Sequence, residues 1–216
     1  MSQGDHTGDL RKRKRLASTR RIQGVALDLF DAEGFSAVTI ERIAAAADVS
    51  PSSVYRYFGT KEQIVLWDEY DPIWFAEVAN RLRDSPPVDA ARTAVRALLT
   101  GPLLRDDDLI RRRIRYTMTE PSIEAASALQ FHQTAEAFGT ALSQGLGRAH
   151  GDLDVQLFSH AIVGAIVGAI HHWYESDFTT PLPDIVDRVF TSFEQGFGLG
   201  EHAHRETPTA GRGSRG

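Results

Sequence analysis

Residues 39–58 read TIERIAAAADVSPSSVYRYF, and this stretch decides the fold. Thr39 is a residue type that caps helices, and Glu41 sits near the positive end of the helix that Thr39 would open. Ile40, Ile43, Ala44 and Ala47 then share one helical face. Asp48-Val49 makes a tight turn. Ser50-Pro51 joins a capping residue to proline at the first helical position, a strong helix start. Val54 and Phe58, four apart, form the apolar face of this second helix. Two short helices joined by a three-residue turn have helix-turn-helix proportions.

The pattern extends both ways. Upstream, Ile22, Val25, Ala26, Leu29 and Phe30 form a helical stripe that Gly34 can close. Downstream, Gly59 stops the second helix, and Thr60-Lys61-Glu62-Gln63 has capping-box spacing, predicting a helix from Lys61 to about Tyr70. A second block follows. Helices are expected from Asp71 to before Pro86-Pro87, from Asp89 to Leu99, and from Asp106 to Met118. A long one capped by Ser122 reaches about Ala149. The most apolar starts at Asp152 or Asp154 and runs through Glu175, and a last one opens at Pro183 and reaches about Gly198. No segment alternates apolar with polar over strand length. The expected fold is all-α, with about nine to ten helices. A flexible basic arm over 1–14 precedes a three-helix DNA-binding domain with helix-turn-helix over 15–62. A larger helical domain follows over 63–200, then a disordered tail over 201–216.

The 216 residues include no cysteine, which excludes disulfides, thiolate metal sites and a cysteine nucleophile. Met1–Asp9 is polar and unlike a secretory signal. The strongly apolar run Ala161–Ile170 is half the length that spans a bilayer. A soluble cytoplasmic protein with no membrane partner is expected. The net charge of −5 argues against a polyanion partner, but it is unevenly spread. Residues 1–67 carry ten Lys/Arg against eight Asp/Glu, and the remainder carries fourteen against twenty-one. Five basic groups adjoin in Arg11-Lys12-Arg13-Lys14-Arg15, which is either a solvated tail or an arm, including Arg13 and Arg15, that reaches a DNA groove.

The second helix of the motif suits DNA. Ser50, Ser52 and Ser53 are small enough to let a helix N-terminus enter the major groove. Its free N–H groups and positive dipole end favour phosphate. Tyr55, Arg56 and Tyr57 add donors toward the backbone, and Lys61 adds a charge at the next helix start. Here the run from Thr39 to Ala44, the run from Val49 to Phe58 and Lys61-Glu62 together resemble the TetR family of bacterial transcriptional regulators. The resemblance implies that Thr39, Tyr55 and Lys61 hold phosphates and that Ser50, Pro51, Ser52 and Ser53 face base edges. Tyr57 stands where the family often has histidine. Asp48 replaces a usual glycine, and it tolerates the left-handed conformation better than most residues. Arg42 replaces a common acidic residue, and either adds a phosphate contact or pairs with a nearby carboxylate.

Ala161–Ile170 is apolar around its whole circumference and must be buried all round. The last helix carries a second stripe that includes Val189 and Phe193. In the family the larger helical domain, here 63–200, is the ligand-binding and dimerisation domain, and its two C-terminal helices build a four-helix dimer bundle, so Ile162, Gly164, Ile166, Gly168, Val189 and Phe193 are expected at a homodimer interface. Such a dimer would read a palindromic double-stranded operator. For a small, largely apolar effector, Trp74, Tyr116, Phe131 and Trp173 are expected to line a pocket with His132 and His171 as polar neighbours. Arg111-Arg112-Arg113 is either a solvated face or a grip on an anion such as an acyl-CoA. His171 and Glu175 are four apart, but zincin spacing and a third ligand are missing, so neither metal nor cofactor is expected. No hydrolase elbow, Walker loop or Rossmann glycine pattern occurs, and a regulator is expected over an all-helical enzyme or a ligand-independent DNA binder. The resemblance further implies that effector binding swings the fourth helix and changes the spacing of the two recognition helices.

Overall fold

The computed structural model describes residues 3–149 and 151–197, with side chains from residue 10 onward except that of residue 102. The tail expected to be disordered lies outside them. Eleven helical segments and no strand are present among the described residues: α1 (Gln3–Glu33), α2 (Ile40–Ala46), α3 (Pro51–Phe58), α4 (Lys61–Leu66), α5 (Asp71–Arg81), α6 (Pro87–Leu99), α7 (Pro102–Arg105), α8 (Asp107–Thr119), α9 (Pro121–Leu146), α10 (Leu153–Glu175) and α11 (Leu182–Gln195). One of these, α7, is a single turn between the helices expected from Asp89 to Leu99 and from Asp106 to Met118.

The N-terminal core forms as its local signals dictate. Ile22, Ala26, Leu27 and Phe30 of α1 pack with Ile43, Ala44, Val54, Phe58, Ile64 and Val65. The buried stripe of α1 is turned slightly from the expected one, because Leu27 is enclosed while Val25 and Leu29 are partly buried. Thr39, Ser50 and Thr60 each cap the helix that follows, accepting the N–H of the residue three positions on. Asp48 takes the turn with φ 51, as its side chain permits.

Among the boundaries that differ from expectation, three have a visible physical cause. Residues 10–14 are not a flexible arm: they continue α1, because Leu10 to Gln23 contains neither glycine nor proline and is rich in strong helix formers. The long helix α9 begins with Pro121 at its first position, one residue before the expected cap Ser122. Helix α4 stops at Leu66, a turn short of Tyr70. Its last carbonyls find partners from elsewhere in the chain. Gln23 Nε2 donates to the carbonyls of Ile64 at 2.7 Å and Trp67 at 2.9 Å. Arg113 donates to those of Val65 at 2.8 Å and Leu66 at 3.3 Å. A helix end so satisfied needs no further turn.

Helices α5, α6, α9, α10 and α11 enclose the second core around Phe138, Ile162 and Phe190. The 23-residue α10 has a mean hydropathy of 1.7 in its most apolar window and is long enough to cross a bilayer, which its ten-residue apolar run alone is not. It lies against α9 and α11 and buries Val155, Ile162, Val163, Ala169 and Trp173. The two cores adjoin through α8 and α9, since Ile123 belongs to the N-terminal cluster and Leu109 and Tyr116 pack against it.

Candidate nucleic-acid interface and effector cavity

Helix α3 presents short hydroxyls at its start. Ser50 Oγ accepts the Ser53 N–H at 3.2 Å and lies 2.9 Å from the hydroxyls of Ser52 and Ser53. Pro51 occupies the first helical position, and Pro51, Ser52 and Arg56 are exposed. Tyr55 is 49% exposed, so it is no core residue, whereas Val54 and Phe58 are. Arg56 reaches back to Ser53 Oγ at 3.3 Å and stands 5.0 Å from the centre of the Tyr57 ring. Arg15 of α1 stands 5.8 Å from the same ring. Tyr57 packs on the N-terminal core, so it anchors a basic edge made by two separate helices. Arg13 lies exposed on α1 two residues before Arg15.

Three other expected contacts already have partners within the chain. Thr39 Oγ1 accepts the Arg42 N–H at 3.2 Å, leaving an exposed side chain at the α2 start. Arg42 pairs with Glu33 at 2.9 Å, the carboxylate alternative of the two it offered. Lys61 turns toward the chain between α1 and α2, donating to the carbonyls of Phe35 at 2.7 Å and Val38 at 2.9 Å above the Phe35 ring. It braces that connection rather than standing free at the α4 start.

A mainly apolar cavity of about 920 Å³ opens among the C-terminal helices. Trp74, Phe131, His171 and Trp173 line it, as do Ile166, Leu99 and the charged Asp68, Asp71, Asp107, Arg111 and Arg113. Tyr116 and His132 do not. Tyr116 lies on the side of α8 away from the cavity, donating to Asp31 at 2.7 Å and meeting Phe30 edge-on at 5.7 Å. Burial and the bond to Asp31 raise its phenol above the usual range. The His132 ring is 5.7 Å from that of His160 instead. At the cavity wall Asp71 accepts from Thr134 at 3.3 Å. Burial, then the charge of Asp68, push its carboxyl up to about 6 against the opposing pull of Thr134 and Arg113. The hydroxyl of Tyr70 donates to Asp106, and burial with that bond raises its phenol too.

The arginine run is neither a solvated face nor a single grip. Arg111 pairs with Asp107 at 2.7 Å and lies 5.0 Å from the Trp173 ring, in the cavity wall. Arg112 reaches α1, at Asp28 (2.9 Å) and Asp31 (2.7 Å). Arg113 holds the end of α4 and Asp68 at 3.3 Å. The signal for this lay in the spacing, because consecutive helical residues point about 100° apart and cannot share a face. Helix α8 therefore touches the cavity on one side and the N-terminal domain on the other.

The helices expected at a dimer interface divide their residues. Ile162 is fully buried within its own chain. Gly164 faces Phe131, whose ring a Cβ would meet at 3.6 Å, and Ile166 lines the cavity. These three turn inward, because the apolar circumference of α10 serves its own core first. Gly168 is exposed with open space beside it. It continues an exposed stripe through Leu153 (67% exposed), Leu157 (60%) and Ala161. Val189 and Phe193 of α11 are partly buried, and Phe193 meets Phe197, itself 56% exposed, at 5.6 Å.

Residues 22–66 match the family described as "Bacterial regulatory proteins, tetR family", and residues 85–198 match "MftR C-terminal domain". A Mycobacterium tuberculosis protein named as a mycofactocin biosynthesis transcriptional regulator, MftR, is 26% identical over 168 residues, spanning 76% of this chain and 84% of that protein. The HTH-type transcriptional regulator TcmR of Streptomyces glaucescens is 34% identical over 102 residues, 46% of this chain and 44% of its own. Among solved structures, the Thermus thermophilus repressor FadR in complex with lauroyl-CoA superimposes with a TM-score of 0.50 at 22% identity, covering 90% of this chain and all of that one. FadR from Bacillus halodurans superimposes with a TM-score of 0.53 at 18% identity, over 82% and 98%. At such identities the likeness is one of fold.

Proposed function

The chain belongs to the TetR family of bacterial transcriptional regulators, and from that premise we propose that it is a repressor that binds a palindromic operator as a homodimer and is released by a largely apolar, acyl-CoA-like molecule. It is a DNA-binding regulator and not an enzyme. The reading places it in the cytoplasm, with its operator and no membrane partner.

The observation that carries this reading is the position of α8. Its Arg111 lines the cavity, while Arg112 and Arg113, the next two residues, hold α1 and the end of α4. A ligand that prefers one arrangement of the cavity wall thereby biases the arrangement of the DNA-reading domain. The volume of about 920 Å³ suits a ligand larger than a simple metabolite. The lauroyl-CoA of the Thermus relative gives the class of molecule to try first. For the dimer, the exposed apolar stripe of α10 and the exposed Phe197 offer apolar surface to a second copy. At the DNA, Ser52, Ser53 and Tyr55 read base edges and phosphate, and Arg15 and Arg56 hold the backbone.

Genomic footprinting of the purified full chain, followed by titration of the protected fragment with acyl-CoAs of increasing chain length, tests the reading. A palindromic footprint that a long acyl-CoA releases is expected. A footprint unchanged at saturating acyl-CoA and apolar drug-like ligands would make this a ligand-independent regulator.

A further inference from the structure

We propose that His132, Glu136 and His160 form a site for a divalent late transition metal, with Zn²⁺ the ion of choice, that ties α9 to α10. The ligating atoms of the three side chains lie within 4.8 Å of one another. His132 and Glu136 are four apart on α9 and share a face, and His160 comes from the neighbouring helix, with Nε2 3.7 Å from Glu136 Oε1.

The histidine chemistry supports a ligand role. His160 Nδ1 lies 3.0 Å from the carbonyl oxygen of Gln156, which can only accept. In the neutral ring Nδ1 therefore carries the proton, which leaves the Nε2 lone pair on the side of Glu136, where a metal would sit. A backbone carbonyl that fixes the tautomer and orients the ring is the usual support behind a metal-bound imidazole. Two imidazoles and one carboxylate make a borderline nitrogen and oxygen set, which suits zinc better than calcium or magnesium. In a tetrahedral zinc site the ligating atoms sit about 3.3 Å apart. The atoms need close by only an ångström or so, and His132 and Glu136 are exposed or half-exposed side chains free to turn. Three protein ligands leave the fourth position to water.

No sequence motif announced the site, because its members are split between residues 132–136 and 160 on two helices. It is separate from the effector cavity, although Phe131, the residue before His132, lines that cavity against Gly164. It does not depend on the proposed repressor function.

The test is Zn²⁺ binding to the full chain by titration calorimetry at pH 7.5, with Co²⁺ absorption reporting geometry. His202 and His204 of the C-terminal tail are first changed to Asn, so that the tail cannot chelate. One Zn²⁺ per chain is expected at micromolar free ion, with a raised Tm and a tetrahedral Co²⁺ spectrum. His160→Asn and Glu136→Gln should each weaken binding by about tenfold or more, whereas His172→Asn, an exposed residue off the site, should leave it unchanged. Circular dichroism would show that each variant keeps its fold. Absence of micromolar binding overturns the proposal and leaves His160 and Glu136 as a simple side-chain contact between α9 and α10. Binding that survives His160→Asn and Glu136→Gln also overturns it.

Discussion

The side chain of Arg113 in α8 donates its Nε–H to the backbone carbonyl of Val65 in α4 at 2.8 Å. The pair is 48 residues apart in sequence, and it joins the end of a DNA-domain helix to a helix of the cavity wall. Arg113 also bonds the Leu66 carbonyl and Asp68, and its side chain is only 13% exposed. Arg113→Met keeps much of the packing and removes every donor. It should destabilise the protein by about 1–3 kcal/mol, the usual cost of leaving buried acceptors unpaired. It should also shrink the effect of effector on operator affinity. Urea unfolding checks the first outcome, and operator titration with and without acyl-CoA checks the second. A fully inducible variant would remove Arg113 from the coupling route.

Gln23 tests the same helix end from the other side. It is 1% exposed, and its amide serves the Ile64 and Trp67 carbonyls. Gln23→Leu is close in shape but donates nothing, so a loss of about 1–3 kcal/mol is expected in urea unfolding. Gln23→Glu should be worse at neutral pH, because it sets a charge among carbonyl oxygens.

The contrast between α3 and α4 shows what a sequence can disclose. Ser50, Pro51, Val54, Phe58 and Gly59 specify α3 within ten residues, and each acts through its immediate neighbours. The end of α4 is decided by Gln23 and Arg113, more than forty residues away on either side. Local pattern therefore predicted one turn too many. Tyr116 and His132 miss the cavity for a related reason: Tyr116 packs on the N-terminal core and His132 is exposed beside His160, and composition does not say which face of a helix meets the cavity. The inward turn of Ile162, Gly164 and Ile166 follows the same logic, since an all-apolar helix leaves no polar face to mark its outside.

The basic run makes a quantitative prediction at the DNA. Were residues 11–15 a flexible arm, all five charges could reach phosphate. As successive positions on α1 they point about 100° apart, so only part of the set can face one duplex. Neutralising all five should reduce the slope of log K against log salt by fewer than five contacts' worth, with about one unit from Arg15→Gln alone. Fluorescence anisotropy with the operator over a salt series measures this. A slope unaffected by Arg15→Gln would detach Arg15 from the interface.

Leu157 tests the dimer surface. It is 60% exposed within one chain, on the apolar stripe that includes Leu153, Ala161 and Gly168. In the proposed dimer, Leu157→Glu places a charge from each copy within the interface, where desolvation and like-charge repulsion add. Sedimentation at micromolar concentration should shift from dimer to monomer, with operator affinity falling in parallel. Ile162→Val, buried in the chain's own core, should cost about 0.5–1.5 kcal/mol of stability without altering the association state.

Asp71 sets a pH dependence with a definite sign. Its carboxyl rises from an ordinary 3.8 to about 6, because burial and the adjacent Asp68 disfavour the charge. Below pH 3.8 it is protonated in both folded and unfolded chains and has no effect on their balance. Between 3.8 and about 6 the unfolded chain has ionised while the folded chain still holds the proton, so this group's contribution to stability falls as pH rises. Above that window both forms are ionised, and the penalty, up to about 3 kcal/mol, stays constant. Asp71→Asn cannot ionise and can still accept from Thr134 through its carbonyl oxygen. The variant should therefore match the wild type near pH 3.5 and exceed it at pH 7, the gap opening across the window. Urea unfolding at the two pH values measures the gap, and one equal at both would show that the ionisation of Asp71 is not its source. Because Asp71 lines the cavity, the same substitution should also weaken any pH dependence of effector affinity between pH 5 and 7.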